Sequence, residues 1–334
     1  MTDELPLLAR QLLGMYAMKT LAMGRVSGAL EVLVDGPTTA EQLAQKAGLD
    51  ELNAALWLRA MSAAGHADHD NGTFSLNEET RTLFGPEFPA DVRAVLDFTY
   101  ATFAEPLKAA TAAMRTGAGV PSEEYGDLGA AAGGVNTPTY RAALVDEWIA
   151  AAPGLRERLE SGGRIADLAC GNADAAAIMA GAFPQARVLG YDPGTPEGVH
   201  ADVPNLEIVR DTAGALPTDG GFDLVICLDA LHHLGDPGAA ARQVHASLRD
   251  GGVFLVAEGS MTGDLDVDNA DPYSLIGHAA GLMYCLQENL ANGGTGTTPS
   301  FGLDWVDAAL TEAGFSSIAH HDSETGYRIF LATR

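Results

Sequence analysis

The eleven residues Arg164-Ile-Ala-Asp-Leu-Ala-Cys-Gly-Asn-Ala-Asp174 constrain this chain most. They read as a buried strand, a tight turn of small residues, and a helix that starts at Asp174. Small side chains let a backbone come close to a bound molecule, and the free amides at a helix start favour electron-rich groups. A second apolar run, Arg187-Val-Leu-Gly-Tyr191, ends on Asp192. That acid lies about twenty positions beyond the turn, where a carboxylate can accept both hydroxyls of a ribose. The pattern is that of a nucleoside-type ligand at the carboxyl end of a parallel sheet.

The rest of this half keeps the pattern. Residues 165–169, 187–191, 206–210, 222–228 and 253–257 read as strands, with helices at 175–183 and 238–248. Alternation of this kind predicts a Rossmann-like, mostly parallel α/β sheet with helices on both faces. The tail differs. Residues 315–319 and 327–333 flank Asp322-Ser-Glu-Thr-Gly326 with no helix between them, which predicts an antiparallel hairpin at the sheet edge.

Ahead of the sheet the signals are helical. Apolar residues recur at helical spacing from about residue 5 to 35, and Gly36-Pro37 ends the run. Thr38-Thr39-Ala40-Glu41 resembles a capping box that opens a helix through Ala47. A second helix is expected over 52–64, with Leu56, Leu58, Met61 and Ala64 available to pack. Asp70-Asn71-Gly72 is then a strong hairpin turn. Helix, helix, hairpin is a winged-helix pattern, which invites a DNA-binding reading. Charge opposes it: between Gly36 and Leu83, Lys46, Arg59 and Arg81 face Glu41, Asp50, Glu51, Asp68, Asp70, Glu78 and Glu79. A recognition helix without a basic face has no electrostatic footprint. A structural or dimerisation role is expected instead. Residues from about 90 to 150 read as helical connections, with the Gly-, Ala- and acid-rich stretch 114–134 as a mobile loop. The predicted domains are 1–90, mainly α and winged-helix; 91–160, a helical connection; and 161–334, the Rossmann-like domain.

The whole chain of 334 residues carries a formal charge of −26, which repels phosphate backbones and anionic membranes. No apolar run approaches the roughly 20 residues of a membrane helix. The start Met-Thr-Asp-Glu lacks the basic region of a signal peptide. Cys170, Cys227 and Cys285 match no zinc or disulfide spacing. A cytoplasmic protein with no nucleic-acid or membrane partner is expected.

Together these segments resemble the class I S-adenosylmethionine-dependent methyltransferases. More narrowly they are similar to the bacterial small-molecule enzymes with an N-terminal winged-helix dimerisation domain. The stretch from Asp167 to Ala173 occupies that family's glycine-rich loop, and Asp192 its ribose-binding acid. Asp211-Thr212 falls where members contact the adenine. Phe222-Asp-Leu-Val-Ile-Cys-Leu-Asp229, followed by Ala-Leu-His-His233 and Asp236-Pro237, is similar to its fourth motif. Leu248-Arg-Asp-Gly-Gly252 is also typical. The resemblance implies an S-adenosyl-L-methionine cofactor held by Asp167, Ala169, Cys170, Gly171, Asp192, Pro193, Asp211, Thr212, Cys227 and Leu228. It implies a homodimer that methylates an oxygen, nitrogen or carbon atom of a small-molecule acceptor by in-line displacement, in secondary metabolism. One departure stands out. The family loop usually reads Asp-x-Gly-x-Gly-x-Gly, and here Ala169 and Ala173 replace two of its glycines. Alanine disfavours positive φ. The change is either a tolerated drift or the mark of a non-methylating reaction, such as cyclisation of the cofactor or rearrangement of a substrate. A winged-helix regulator is the third alternative.

Three residues are candidates for catalysis. His232 and His233 follow the fourth strand at the ligand-binding end of the sheet. Histidine is the usual base near neutral pH, and His232 aligns with a histidine common in related sequences. It acts either in catalysis or as a wall of the cofactor site. The pair is not expected to hold a metal, because adjacent side chains diverge and no further ligand is evident. Glu258 ends the fifth strand, either as a proton acceptor or acceptor-orienting group, or as a solvated strand-end carboxylate. Residues 264–296 are expected to cover the acceptor, with Leu275, Ala279, Leu282 and Leu286 at core-like helical spacing.

Overall fold

A computed structural model describes residues 6–84, 91–102, 105–126, 128–271 and 273–334. They form two compact units, residues 1–104 and 105–334. The expected boundary at residue 90 lies outside the described residues.

In the first unit the long N-terminal run is two helices, α1 (Leu7–Ser27) and α2 (Ala29–Asp35). Gly28 between them takes a left-handed conformation at φ 79°, which a helix cannot propagate through. Next come α3 (Ala40–Ala47) and α4 (Glu51–Ala63). The capping box that opens α3 is Thr39 with Gln42, one position later than expected. The backbone of Thr38 is occupied by pairing with Phe74, so the helix cannot begin there. Strands β1 (Ala67–Asp70) and β2 (Thr73–Leu76) form the expected hairpin. Asn71 at φ 48° and Gly72 at φ 84° are both left-handed, as a two-residue I′ turn requires. Helices α5 (Glu78–Thr82) and α6 (Val92–Thr102) complete the unit. Its core joins Leu30, Leu33, Leu43, Leu58, Met61 and Leu96, whereas Leu56 points to solvent.

The second unit opens with α7 (Glu105–Thr116), α8 (Leu128–Ala143) and α9 (Leu155–Glu160). Part of the stretch expected as a loop is therefore helix; buried Tyr125 and Leu128 anchor it. The sheet contains β3 (Arg164–Leu168), β4 (Arg187–Tyr191), β5 (Leu206–Val209), β6 (Phe222–Leu228), β7 (Leu248–Gly259), β8 (Ser317–Asp322) and β9 (Tyr327–Thr333). Spatial order is β5-β4-β3-β6-β7-β9-β8. All pairs are parallel except those of β9, which runs antiparallel to both β7 and β8. The expected edge hairpin is thus present. Helices α10 (Asp174–Ala182), α11 (Pro237–Ser247), α12 (Leu265–Asp268), α13 (Ser274–Ala280), α14 (Leu286–Ala291) and α15 (Asp304–Ala313) fill the connections.

Strand β6 is buried on both faces, and its side chains alternate between two cores. Leu224, Ile226 and Leu228 pack with Leu144, Trp148 and Met179 on one face. Val225 and Cys227 pack with Val244 and Leu310 on the other. From β3 the chain winds outward one way to β4 and β5, then returns to β6 on the other side. The carboxyl ends of β3 and β6 therefore flank the crevice where ligands of open α/β sheets bind.

Candidate active site

Leaving β3, the backbone turns left-handed at three alternate residues. Ala169 has φ 54°, Gly171 φ 53° and Ala173 φ 60°. The alanines thus adopt the shape that glycine adopts most easily, at a cost of roughly 1–2 kcal/mol each. Ala173 is fully buried, and its amide closes the turn on the Cys170 carbonyl at 2.7 Å. Asp192 ties the loop to the end of β4: its carboxylate accepts the Gly171 amide at 3.1 Å and the Gly194 amide at 2.7 Å. The Thr195 hydroxyl donates to the Gly171 carbonyl at 2.7 Å. Gly190 must lack a side chain, since a Cβ there would stand 2.9 Å from Cys170 Sγ. Burial pushes the Cys170 thiol up, so it stays protonated.

Beneath the turn, Asp167 is almost fully buried and its Oδ2 has no hydrogen-bond partner. Burial raises its pKa to about 8; the Ala176 amide opposes the shift, and Asp192 and Asp174 add to it. Pro193, Asp211 and Thr212 are exposed on the same rim. Cys227 and Leu228 are in the two sheet cores, so their side chains serve packing.

The second half of the site follows β6. Asp229 is held at φ 51° and accepts a hydrogen bond from Asn136 of α8 at 2.9 Å. A short turn, Leu231–His233, comes next. His232 is 2% exposed and Glu258, at the end of β7, is 0% exposed. The two are therefore a buried pair, and the expectation of a solvated strand-end carboxylate is overturned. Parallel pairing of β6 with β7 brings them together, because Leu228 lies opposite Ala257. The His232 amide donates to Glu258 Oε1 at 3.2 Å, and the ring Nδ1 is 2.6 Å from Oε2. A carboxylate can only accept, so Nδ1 carries a hydrogen, and in the neutral ring Nε2 holds the lone pair. That Nε2 is buried with no hydrogen-bond partner. Burial opposes charge on the ring, but Glu258 and Cys285 together outweigh it and raise the pKa.

His233 sits beside it, with ring centroids 4.2 Å apart. The two side chains do not diverge as expected. His233 Nδ1 stands 2.6 Å from Glu288 Oε2 of α14, outside hydrogen-bond angles but at ion-pair distance. Burial and its neighbour His232 oppose its charge; Cys285 and Glu288 overcome them and raise its pKa to about 9. Burial disfavours ionisation of Cys285, but the two histidines outweigh it and bring the thiol to about 7.

Helix α14 packs on this turn, and the face expected to turn inward is only partly buried. Leu275 and Leu282 face solvent, while Gln287, Glu288 and Asn289 are buried. Asn289 explains the arrangement. Its amide donates to the carbonyls of His232 and Leu234, both at 2.9 Å, and its oxygen accepts the Gly296 amide at 2.8 Å. Asn292 donates to the His233 carbonyl at 3.0 Å. The cover thereby fixes the histidine turn. Gly235 is required for it, because a Cβ there would collide with the Asn292 carbonyl. Sequence reasoning missed Asn136, Glu288 and Asn289. The polar run Gln287-Glu288-Asn289 inside an apolar helix was the available signal.

Residues 139–285 match the family model described as a methyltransferase domain. Three solved structures are similar over nearly the whole chain. An O-methyltransferase family protein from Burkholderia thailandensis is 18% identical with a TM-score of 0.68, over 95% of this chain and 94% of that one. Human N-acetylserotonin methyltransferase, in complex with SAM, is 18% identical with a TM-score of 0.66, over 100% and 99%. The mitomycin 7-O-methyltransferase MmcR is 18% identical with a TM-score of 0.70, over 98% and 96%. At such identities the likeness shows the fold. A search of curated protein sequences finds no match.

Proposed function

Because residues 139–285 carry a methyltransferase domain on a class I fold, we propose that this chain transfers a methyl group from S-adenosyl-L-methionine to a hydroxyl of a small molecule, with His232 as general base. The observation that carries the proposal is the buried His232–Glu258 pair, 2.6 Å apart, beside the β3 turn. The O-methyltransferases among the similar structures support oxygen as the acceptor atom. An acceptor of the secondary-metabolite kind is part of the same proposal.

The loop fits the cofactor. Asp167 offers an unpartnered buried oxygen, which a polar group of the ligand can meet. The left-handed turn keeps side chains out of its path, and a Cβ on Gly171 would meet only open space. Asp192 keeps lone pairs for the ribose beyond the two amides it already binds. Asp211 and Thr212 would border the base. When bound, S-adenosylmethionine supplies a methyl group on a positively charged sulfur, an electrophile that needs alignment more than activation. The protein's own part is to hold and move a proton. His232 Nε2, in the neutral ring, takes it from the acceptor hydroxyl, and Glu258 stabilises the imidazolium that results. Asn289 and Asn292 hold the turn so that the ring cannot swing away.

The alternative of a non-methylating reaction arose from Ala169 and Ala173. Both keep the glycine-like backbone, so nothing in the loop favours it. For the first unit we infer a dimerisation role, supported by the exposed Leu8, Leu12, Leu13 and Tyr16 of α1 and Leu52 and Leu56 of α4. No helix among the described residues is long and apolar enough to cross a membrane. Calorimetry with S-adenosylmethionine and its demethylated product, followed by mass analysis of a methyl-labelled reaction, tests the enzyme reading. Binding with label in the acceptor is expected; absence of binding at millimolar ligand rejects it.

A further inference from the structure

We propose that His232, His233 and Cys285 form a binding site for a thiophilic divalent cation of the zinc class. One ring nitrogen of each histidine and the Cys285 sulfur lie within 4.8 Å of one another. Tetrahedral zinc, with bonds of about 2.0–2.3 Å, needs its ligand atoms roughly 3.3–3.8 Å apart. Closing the present triangle takes shifts of about an ångström, within reach of side-chain rotation. The ring orientation already suits a metal. Glu258 engages Nδ1 of His232 and Glu288 stands at Nδ1 of His233, each at 2.6 Å, which leaves the two Nε2 atoms as donors. A carboxylate behind each imidazole is the arrangement that orients histidine ligands and raises their basicity. The Nε2 of His232 is buried without a hydrogen-bond partner, so no fixed contact has to be broken there for a metal to bind. A thiolate and two imidazoles select borderline-soft ions over magnesium or calcium.

Among the described residues a second possible group, Asp229, His232 and Glu258, shares one histidine. Its carboxylates are already committed, Asp229 to Asn136 and Glu258 to His232. The cysteine-containing group is therefore the better site. It holds three protein ligands, which leaves a fourth position for water. His232 is fully buried while His233 and Cys285 are half-buried, so access is from their side. The sequence argument against a metal rested on diverging neighbours and a missing third ligand; adjacent rings and Cys285 from the cover remove both objections.

If His232 is the base of the proposed methyl transfer, a cation on its Nε2 removes that base, and metal loading excludes turnover. This consequence rests on the functional reading; the binding itself does not. The test uses the full chain, reduced and stripped with a chelator, and titrated with Co²⁺ as a spectroscopic probe. The expected result is one Co²⁺ per chain with a thiolate charge-transfer band, displaced by Zn²⁺. Cys285→Ser should abolish the band, Cys170→Ser should leave it, and Glu288→Gln should weaken binding by about 10–100-fold. Absence of the band, or its survival in Cys285→Ser, overturns the site. Should Cys285→Ser fail to fold, loss of the band in Cys170→Ser overturns it equally. Zinc that binds without reducing methyl transfer refutes the exclusion, whereas failure to bind S-adenosylmethionine refutes the enzyme reading and leaves the metal result standing.

Discussion

Replacing Ala169 and Ala173 singly with glycine separates backbone strain from packing. Both alanines are left-handed, at φ 54° and 60°, so each stores roughly 1–2 kcal/mol that glycine would release. Glycine gives back about 0.4–1 kcal/mol of that through its freer unfolded chain. The net gain at Ala169, which is only partly buried, is about 1 kcal/mol. Ala173 is wholly buried in the core against α10, and deleting its methyl forfeits about 0.8 kcal/mol of burial. Its net change is therefore close to zero. Urea or thermal unfolding reads the difference: about 2–4 °C of added melting temperature for Ala169→Gly and little for Ala173→Gly. Cofactor affinity should move by less than about threefold in either variant, since the loop already has the glycine-like shape. Equal destabilisation by both substitutions would refute the strain argument. A large gain in affinity from either would show that the methyls crowd the ligand, and would reopen the reading of a changed pocket.

Three further outcomes follow from the same geometry. Glu258→Gln leaves His232 without its anionic partner, so kcat should fall by about 10²-fold and the pH–rate profile should move; an unchanged profile would remove Glu258 from the mechanism. Asp192→Ala deletes the acceptor of two loop amides and of the proposed ribose contacts, each charge-assisted bond being worth about 1.5–3 kcal/mol. Calorimetry should show cofactor binding weakened at least about tenfold, and wild-type affinity would contradict the ribose role. Asp167 holds its proton to about pH 8 in the folded chain but releases it near 4 when unfolded. Between these values the folded state binds more protons, so its contribution to stability falls as pH rises, by up to about 1.4 kcal/mol per pH unit, and is lost above pH 8. Asp167→Asn should flatten that slope in unfolding curves; an unaltered slope would mean the carboxyl is already ionised.

The sheet was legible because its signals are local. Strands β3 to β6 and the second half of β7 are short apolar runs between turn residues, and the absence of a helix before β9 announced the antiparallel edge. The half of the site proposed for the cofactor is equally local, since Asp167 and the turn to Ala173 adjoin β3 and Asp192 ends β4. Errors arose where a distant partner decided. The capping box moved to Thr39 because Thr38 pairs with Phe74. Helix α14 turned its polar side inward because Asn289 finds the carbonyls of His232 and Leu234. Hydrophobic spacing alone points Leu282 inward, and three hydrogen bonds to a turn more than fifty residues earlier override it.

Residue order alone settled the strands, the parallel winding and the small-residue turn, since each depends on neighbours within a few positions. Only the folded chain decided the chemistry. Glu258 became the partner of His232 through strand pairing, and Glu288 and Cys285 met the histidine pair through the docking of the cover. Contacts among them then raised the proton affinity of both histidines and lowered that of Cys285 and Glu288, against the opposing pull of burial. No spacing in the chain encodes that environment; it exists once strands and helices from four separate segments close around it.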